Sequence, residues 1–272
     1  MIGAIIGDVI GSIYEHDNIK TKDFPLFDTR CTYTDDTILS VATAKWLLEH
    51  GEPYRYYFEF AKKYPTAGYG SGFVKWLFQV KYRNKAIPYN SCGNGCAMRV
   101  GPVGWAFETE EETLTVAKIS AECTHNHPEG IKGAQAIALC IFMARCGFSI
   151  SDIKQVIEHR FSYNLSMTID ELRTRYSWLG IDDLGNGALC QDSVPQAIMC
   201  ALQAASYEDA IRNAISIGGD SDTIACITGS IAEALYGIPK EMIDQVIPYL
   251  PEEIHRIITS FENKFGNYII IK

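Results

Sequence analysis

Apolar residues recur along most of this chain at the three- and four-residue spacing of an α-helix. Clear examples are ILSVATAKWLLEHG, GFVKWLFQVKY, SVPQAIMCALQA and PEEIHRIITSFENKF. Helix starts are indicated at Thr109, Thr168 and Ser206, each of which precedes an acidic residue by three positions. Helix ends are indicated by glycines that follow the periodic segments: Gly51, Gly147 and Gly237. The pattern predicts an all-α protein of ten or more helices, with one domain over 1–272.

Three segments add detail to this pattern. The helices in IKGAQAIALCIFMA and TIACITGSIAEALYG are apolar on nearly all sides and rich in Ala and Gly, so we expect them at the centre of the fold. The segment MIGAIIGDVIGSIYEHD predicts a buried amphipathic helix that ends at Glu15. It contains Asp8 and lacks a basic start, unlike a signal peptide. Strand-like alternation is weak and is clearest in the C-terminal NYIIIK.

Composition narrows the class of partner and the compartment. The formal net charge of −9 and the pI of about 5.2 argue against a nucleic-acid backbone or an anionic membrane as the main partner. A small anionic ligand needs only a local site and stays compatible with this charge. The nine cysteines lack paired zinc-site spacing, which favours free thiols in the cytoplasm. No apolar run approaches the roughly 18 residues of a membrane span, and we expect a monomer.

An acidic motif occurs twice, each time before an apolar helix. In CTYTDDTILS, Asp35 and Asp36 lie side by side between threonines; far downstream, GGDSDTIACITGS repeats the arrangement. Residues 36–38 align with residues 222–224 as Asp-Thr-Ile. One carboxylate is enough to cap a helix and complement its dipole, so the second in each copy is surplus. The alternative is that each helix start is simply over-capped, because Asp and Thr are preferred capping residues.

The surplus carboxylates predict a metal centre if the two helix starts meet in space. Asp35, Asp36, Asp220 and Asp222 would then repel one another, and two divalent cations would remove this conflict. The donors are carboxylate and hydroxyl oxygens, which favour magnesium or manganese, with calcium as a further option, over zinc or copper. A dinuclear centre can orient hydroxyl groups and activate a water molecule. DSDT does not fit the aspartyl-phosphatase pattern Asp-x-Asp-x-Thr, because Thr223 directly follows the second aspartate.

Two further segments carry candidate ligand-binding groups. The segment that starts at Ser91, SCGNGCAMRVGPVGW, predicts a bare turn at 93–95 whose amides could hold phosphate oxygens or a ribose, although it is also ordinary turn chemistry. In ECTHNHPEG, His125 is a candidate pocket residue, while the rest of the segment is consistent with helix capping. Cys92 could act as a nucleophile with a histidine, but nothing local supports this. Glu15 is either a solvated helix end or a carboxylate at the rim of the metal site.

Taken together, these residues resemble the ADP-ribosylglycohydrolase family. The matching stretches are GAIIGDVIGSIYE, YTDDT, GNGCAMRVGPVG, THNHPEGIKGAQA, DSVPQAI and IGGDSDTIACITGSIAEALYG, and they cover nearly the whole chain. The resemblance implies an all-α orthogonal multi-helix bundle with a dinuclear centre of two Mg²⁺ or Mn²⁺ ions. It also implies hydrolysis of the bond between the anomeric carbon of ADP-ribose and an acceptor, either a protein side chain or a small molecule. A non-catalytic ADP-ribose or nucleotide-binding module on the same scaffold is the alternative.

The resemblance also assigns roles to particular residues. The catalytic candidates are Asp35, Glu15 and Asp36. The metal ligands that it implies are Thr34, Asp35, Asp36, Asp220, Asp222 and Thr223. The substrate-binding residues that it implies, for the phosphates and the distal ribose, are Ser91, Gly93, Asn94, Gly95 and His125. Segment 149–187 matches less clearly, and we expect acceptor preference to be decided there.

Overall fold

Helices dominate the computed structural model, which describes residues 1–266 and the strand Ile270–Ile271. The helices of the first half are α1 Ile2–Gly11, α2 Asp35–Glu49, α3 Pro53–Lys63, α4 Ser71–Arg83, α5 Gly95–Met98, α6 Gly101–Ala106, α7 Glu110–Glu122 and α8 Pro128–Arg145. Those of the second half are α9 Ile150–Phe161, α10 Ile169–Arg175, α11 Cys190–Leu202, α12 Tyr207–Ser216, α13 Ser221–Tyr236, α14 Lys240–Val246 and α15 Glu252–Phe265. The all-α prediction is confirmed.

A 3₁₀ helix at Ile247–Tyr249 and two very short strand pairs are also present. Strand β1 (Tyr176–Ser177) pairs antiparallel with β2 (Gly180–Ile181), a hairpin that the sequence pattern did not predict. Strand β3 (Ile238–Pro239) pairs parallel with β4 (Ile270–Ile271). The predicted strand NYIIIK therefore exists over two of its residues. Its other residues, 267–269 and 272, lie outside the described part of the chain.

Six predicted helix boundaries, at three N-caps and three glycines, agree with the structure. Thr109, Thr168 and Ser206 are N-caps, and the side chain of each accepts the backbone amide of the residue three positions later. These bonds satisfy amides that have no partner within the helix. The glycines predicted to follow helix ends have positive φ angles of 113°, 81° and 68°, at Gly51, Gly147 and Gly237 respectively. Local sequence is sufficient to predict these boundaries because helix capping depends on residues that are neighbours in the chain.

The contact between α1 and α13 brings together helices from opposite ends of the sequence. A Cβ atom at Gly7 would lie 2.0 Å from the carbonyl oxygen of Ala225, and one at Gly11 would lie 2.6 Å from the Cα of Asp222. Only glycine permits such close approach of the two backbones. All ten residues of α1 are buried, so the prediction of an amphipathic helix is wrong, while the prediction of burial is confirmed. The helix ends at Gly11 and not at the predicted Glu15.

Helix α13 lies at the centre of the fold, as predicted. Its residues from Ser221 to Ala234 are all buried, and it packs against α1, α8, α11 and α12. Helix α8 is likewise buried along most of its length. This packing brings the start of α13 beside the start of α2, at the end of α1. Among the described residues no helix combines the length and apolarity needed to cross a membrane, and all nine cysteines are free thiols.

Candidate active site

Every residue to which the family resemblance assigns a role lines a single cleft of about 320 Å³. The starts of α2 and α13 form one wall, together with the turn that follows α1. The turn before α5 and the segment before α8 form the other wall. The predicted residues that line the cleft are Glu15, Thr34, Asp35, Asp36, Ser91, Gly93, Asn94, Gly95, His125, Asp220, Asp222 and Thr223.

No carboxylate of the first wall acts as the N-cap group of α2 or α13, although Asp222 Oδ1 accepts the amide of Thr223 at 2.9 Å. The hydroxyl of Thr34 caps α2 by accepting the amide of Asp36. Asp220 is the N-cap of α13, but its side chain makes no capping hydrogen bond. Asp36 and Asp222 are each the second residue of their helix, so the predicted alignment of the two motifs holds in space. Over-capping therefore does not explain the doubled motif.

The carboxylates form two groups that share one member. Single oxygens of Asp8, Asp36 and Asp222 lie within 4.8 Å of one another, and so do single oxygens of Glu15, Asp220 and Asp222. The hydroxyl of Thr223 donates to Asp36 Oδ2 at 3.2 Å, and the hydroxyl of Thr34 is 3.3 Å from the same oxygen. Asp35 lines the cleft but belongs to neither group.

The four aspartates of these groups are buried, and none forms an ion pair with a Lys or Arg of the described chain; the partly exposed Glu15 has His16 Nε2 at 3.8 Å. Asp36 and Asp222 are 2% and 4% exposed, and neither forms an ion pair with a Lys or Arg of the described chain. Burial, followed by the charges of Asp8 and Asp35, raises the pKa of Asp36 well above its ordinary value. Burial and the charge of Asp8 raise the pKa of Asp35 to about 8. A bound divalent cation would remove this repulsion.

The donor set fits a hard divalent cation. Asp36 Oδ1 is buried and has no hydrogen-bond partner in the described chain, so it is available as a ligand. The converging atoms are carboxylate and hydroxyl oxygens, which Mg²⁺, Mn²⁺ and Ca²⁺ prefer. The described residues of the two groups include neither Cys nor His. The clustered acidic residues could therefore hold a metal ion.

Asp8 is a residue of this wall that sequence reasoning missed. It is fully buried within α1 and accepts hydrogen bonds from the amide and hydroxyl of Thr34, at 2.9 and 2.7 Å. It also accepts the amide of Thr37 at 3.0 Å and the hydroxyl of the same residue. Four donors thus fix Asp8, which in turn fixes the start of α2. The available signal was a single carboxylate in an otherwise apolar helix.

The opposite wall is the turn 93–95, and its amides are less available than the sequence suggested. The amide of Gly93 donates to Ser91 Oγ at 3.1 Å, and that of Asn94 donates to the carbonyl of Ala188 at 2.9 Å. The side-chain amide of Asn94 donates to Asp220 Oδ2 at 2.7 Å, which connects the two walls. Only the amide of Gly95 has no acceptor in the described chain, so Gly95 offers the turn's one available donor to a ligand.

His125 packs against this turn, and Thr124 connects it by hydrogen bonds to the buried Arg99. Arg99 is fully buried, lies 4.0 Å above the ring of Tyr57, and donates to Thr124 Oγ1 at 2.8 Å. That hydroxyl is in turn 2.7 Å from His125 Nδ1. Burial, and secondly the charge of Arg99, lower the pKa of His125 well below 6.5. The neutral ring leaves Nε2 near Gly95 to face the cleft.

Comparison with known proteins assigns the chain to a family. A sequence model described as ADP-ribosylglycohydrolase matches residues 1–267. The chain belongs to the ADP-ribosylglycohydrolase family. It is 31% identical to ADP-ribosylhydrolase ARH3 of Homo sapiens, over 88% of this chain and 84% of that protein. It is 21% identical to ADP-ribosylarginine hydrolase Tri1 of Pseudomonas putida, over 90% and 72% of the two chains.

The fold of this family member also matches a solved structure. That structure, an ADP-ribosylglycohydrolase-related protein complex, superposes with a TM-score of 0.73 at 20% identity, over 97% of this chain and 95% of its own. At this identity the likeness shows a shared fold and nothing finer. It agrees with the predicted helical bundle of the family type.

Further residues of the cleft come from segments to which the sequence assigned no role in the site. Trp178 lies on the β1–β2 hairpin, within the poorly matching segment 149–187, and its indole donates to the carbonyl of Glu15 at 2.9 Å. Phe73 and Tyr89 add aromatic surface. His127 caps α8 by accepting the amide two residues later, at 3.1 Å, and does not line the cleft; neither does Cys92.

Proposed function

We propose that this protein is a divalent-cation-dependent hydrolase that cleaves the bond between ADP-ribose and an acceptor and releases ADP-ribose. The observation that carries the proposal is the pair of carboxylate groups joined at Asp222, which have no Lys or Arg partner among the described residues and whose members Glu15, Asp36, Asp220 and Asp222 line the cleft. Family membership supports the substrate class, because the relatives are named for hydrolysis of ADP-ribosyl linkages.

The proposed ligands are the residues of the first wall. Asp36, Asp220 and Asp222, with Glu15, would hold two Mg²⁺ or Mn²⁺ ions, and the hydroxyls of Thr34 and Thr223 would complete the coordination. When bound, such ions would orient the ribose hydroxyls beside the scissile bond and lower the pKa of an attacking water. Asp8 would position the start of α2, since its own oxygens already accept four hydrogen bonds.

Two carboxylates are candidates for the general base. Glu15 is 30% exposed, and burial followed by the charge of Asp220 raises its pKa. Asp35 lines the cleft outside both carboxylate groups, so its oxygens are not committed to them. Either carboxylate could take a proton from water within hydrogen-bond reach. The surrounding negative charge favours the positive charge that develops on the sugar in an oxocarbenium-like transition state.

The second wall would bind the diphosphate and distal ribose. The amide of Gly95 can donate there, as can His125 Nε2 in the tautomer whose Nδ1 accepts the hydroxyl of Thr124. The guanidinium of Arg99 adds positive charge behind them. Ser91 and Gly93 shape the turn so that His125 fits against it. Contacts to these remote groups supply binding energy that orients the anomeric carbon against the first wall.

The test is a panel of substrates with controlled metal content. The pure protein is incubated with ADP-ribosylated arginine, ADP-ribosylated serine and O-acetyl-ADP-ribose, each with Mg²⁺, with Mn²⁺ and with chelator. We expect catalytic release of ADP-ribose, measured by chromatography under excess substrate, and its loss in chelator. A nucleic-acid base is a fourth acceptor for the panel, although the acidic chain disfavours it.

Other outcomes would contradict the proposal in distinguishable ways. Tight, metal-dependent binding of ADP-ribose without turnover would indicate a non-catalytic binding module on the same scaffold. Release of inorganic phosphate instead of ADP-ribose would indicate a metal-dependent phosphatase. Release that persists after chelation would refute the metal dependence alone.

Compartment and assembly complete the proposal. We propose a cytoplasmic protein, which is supported by nine free thiols of the kind that persist in reducing compartments. We propose that it acts as a monomer, because one chain supplies all the described residues of the cleft. Size-exclusion chromatography with light scattering tests the second point.

A further inference from the structure

The turn 93–95 in the second wall of the cleft belongs to a long segment without acidic residues. Residues 60–107 contain neither Asp nor Glu, in a chain whose formal net charge is −9. The basic residues of this segment are Lys62, Lys63, Lys75, Lys81, Arg83, Lys85 and Arg99. Positive charge is therefore concentrated locally on one segment of an acidic protein, and this segment reaches the cleft.

Helix α4 presents much of this charge to solvent. Lys75, Lys81 and Arg83 lie on α4 and Lys85 follows it, and all four are exposed. Within the described chain none of them forms an ion pair with a carboxylate. Exposed cations without a partner in an otherwise acidic protein are free to attract an anionic ligand.

The same helix exposes a row of apolar side chains. Val74, Phe78 and Tyr82 are 37%, 56% and 78% exposed, and their four-residue spacing places them on one face of α4. Phe73 and Gly72, in the first turn of α4, line the cleft. The row therefore extends outward from the cleft and is flanked by the unpaired cations. We call these residues the α4 surface: Val74, Lys75, Phe78, Lys81, Tyr82, Arg83 and Lys85.

We propose that the α4 surface is a docking site for an acidic polypeptide segment that also carries apolar side chains, supplied by the ADP-ribosylated acceptor protein. This assignment rests on the proposed function for the identity of the acceptor. Charge complementarity selects an acidic partner, and Val74 and Phe78 provide contacts for its apolar side chains. Because α4 starts at the cleft, a segment bound on it can belong to the same protein as the modified residue.

The chemistry favours a polypeptide over the other polyanions. A nucleic acid carries a phosphate at every nucleotide along its length, and the net charge of −9 would repel it beyond the α4 surface. A membrane would require a larger apolar face than three side chains provide. A short acidic segment matches both the number of cations and the size of the apolar row.

Direct binding is the first measurement. The ligand is a fluorescein-labelled peptide of Asp and Phe residues, measured by fluorescence anisotropy against peptides in which Ser or Lys replaces Asp. We expect only the acidic peptide to bind. We expect its affinity to fall as ionic strength rises from about 0.01 M to about 0.15 M, because the Debye length shortens from about 30 Å to about 8 Å.

Charge reversal on α4 is the variant that tests the site. Lys75→Glu with Lys81→Glu should raise the Kd of the acidic peptide at least about fivefold, because it replaces two attractions by repulsions. The control, Lys240→Glu with Lys264→Glu, makes the same charge change on α14 and α15, which do not line the cleft, and should have little effect. Glu and Lys have similar helix propensities, so both variants should fold.

The apolar row has its own matched pair of variants. Phe78→Gln should raise the Kd of the acidic peptide about threefold or more, because it removes an exposed aromatic anchor. Phe148→Gln removes an aromatic side chain of similar exposure, 49%, next to α9, and should leave the Kd unchanged. An equal effect of the two variants would overturn the contribution of the apolar row.

Kinetics separate this inference from the proposed function. Two ADP-ribosylated peptides share one acceptor residue, flanked by Asp and Phe in one and by Ser in the other. In the Lys75→Glu, Lys81→Glu variant, KM should rise for the acidic peptide, with kcat unchanged and with turnover of the small conjugates unchanged. If no conjugate is hydrolysed at all, the proposed function fails while the binding measurement still tests the α4 surface.

Three results would overturn the inference. The first is that the acidic peptide binds no more tightly than its Ser counterpart. The second is that charge reversal at Lys75 and Lys81 leaves its Kd unchanged. The third is that oligothymidine or phosphatidylserine vesicles bind more tightly than the peptide and lose this binding in the same variant, which would assign the α4 surface to nucleic acid or membrane instead.

Discussion

At the scale of single residues, the doubled acidic motif makes a sharp prediction about Asp35 and Asp36. Replacing both by Asn should abolish turnover, since it removes one proposed ligand and one candidate base. The same change should raise the melting temperature of the chelated protein, because both carboxylates have pKa values raised by burial and by neighbouring charges. Calorimetry in chelator and the substrate panel in Mg²⁺ provide the two measurements.

A second pair of adjacent aspartates offers the control. Asp182 and Asp183 directly follow β2, are exposed, and do not line the cleft. Their double Asn variant should retain turnover and should not gain stability. Activity near that of the natural sequence in a folded Asp35→Asn, Asp36→Asn protein would refute the proposed mechanism.

Arg99 carries a prediction about the state of His125. Replacing Arg99 by Met should raise the pKa of His125, because the second cause of its depression is removed while burial remains. Arg99→Lys keeps the positive charge and should leave the pKa nearer that of the natural protein. Histidine-selective NMR titration measures both. Equal titration of His125 in the two variants would show that the charge of Arg99 has no influence.

Some residues of the cleft are marked by patterns in the neighbouring sequence, and others are not. The first kind was predicted, and the second kind was missed. Thr34, Asp36 and Asp222 were identified because helix starts have local patterns and because the motif occurs twice. Asp8 and Arg99 were not identified, because their hydrogen-bond partners are distant in sequence and only tertiary packing brings them near. Thr37 donates to Asp8, and Arg99 donates to Thr124. A single charged residue in an apolar stretch of sequence was the signal available for both.

At the scale of elements, the contact between α1 and α13 determines where the carboxylates of the first wall lie. One added methyl group at this contact should disrupt it. In Gly7→Ala the new Cβ would lie 2.0 Å from a backbone carbonyl of α13, so the helices must separate. We expect a loss of at least about 3 kcal/mol in the free energy of unfolding. We also expect lower turnover, because α1 carries Asp8. Denaturant unfolding and the substrate panel measure these effects.

Gly70→Ala is the matched control for this change. Gly70 lies before α4 with φ of −60°, and a Cβ there would meet no atom within 4 Å. Its effect on stability should stay within about 0.5 kcal/mol. Equal destabilisation by both substitutions would contradict the importance of the close α1–α13 contact.

The elements show the same limit of sequence reasoning as the residues. Capping residues and glycines predicted most helix boundaries because they act on adjacent backbone. The β1–β2 hairpin was not predicted, since each of its strands has only two residues and no alternating pattern can develop. Its position beside Glu15 arises from the bond of Trp178 across 163 residues of sequence, which no local pattern encodes.

At the scale of the whole molecule, we propose that the chain unfolds as one domain. Helices α1 and α13 come from distant parts of the sequence and make the most extensive contact among the described helices. Helix α13 also packs against α8, α11 and α12. Loss of either helix would expose the core of the others. We expect a single calorimetric transition whose calorimetric and van't Hoff enthalpies agree. Two separate transitions would indicate two domains.

Stability should also depend on pH and on metal through the buried carboxylates as a group. In the folded, metal-free protein the pKa of Asp35 is about 8, against an ordinary value of 3.8. Between these values the folded state binds more protons than the unfolded state. The free energy of unfolding must therefore fall as pH rises from about 4 to about 8. Asp36 and Asp222, whose pKa values are also raised, contribute in the same direction.

The measurement is the melting temperature at pH 5.5 and pH 8, in chelator and in excess Mg²⁺. In chelator we expect a fall of at least about 4 °C, since about 1 kcal/mol shifts the melting temperature of a protein of this size by about 2–4 °C. Mg²⁺ should restore most of this loss at pH 8, because it binds the deprotonated carboxylates and stabilises the folded state by mass action. The Asp35→Asn, Asp36→Asn protein should show a weaker pH dependence and a smaller response to Mg²⁺. A melting temperature in chelator that does not change with pH would mean that protein groups already compensate these charges, and the argument for a metal centre would lose its physical basis.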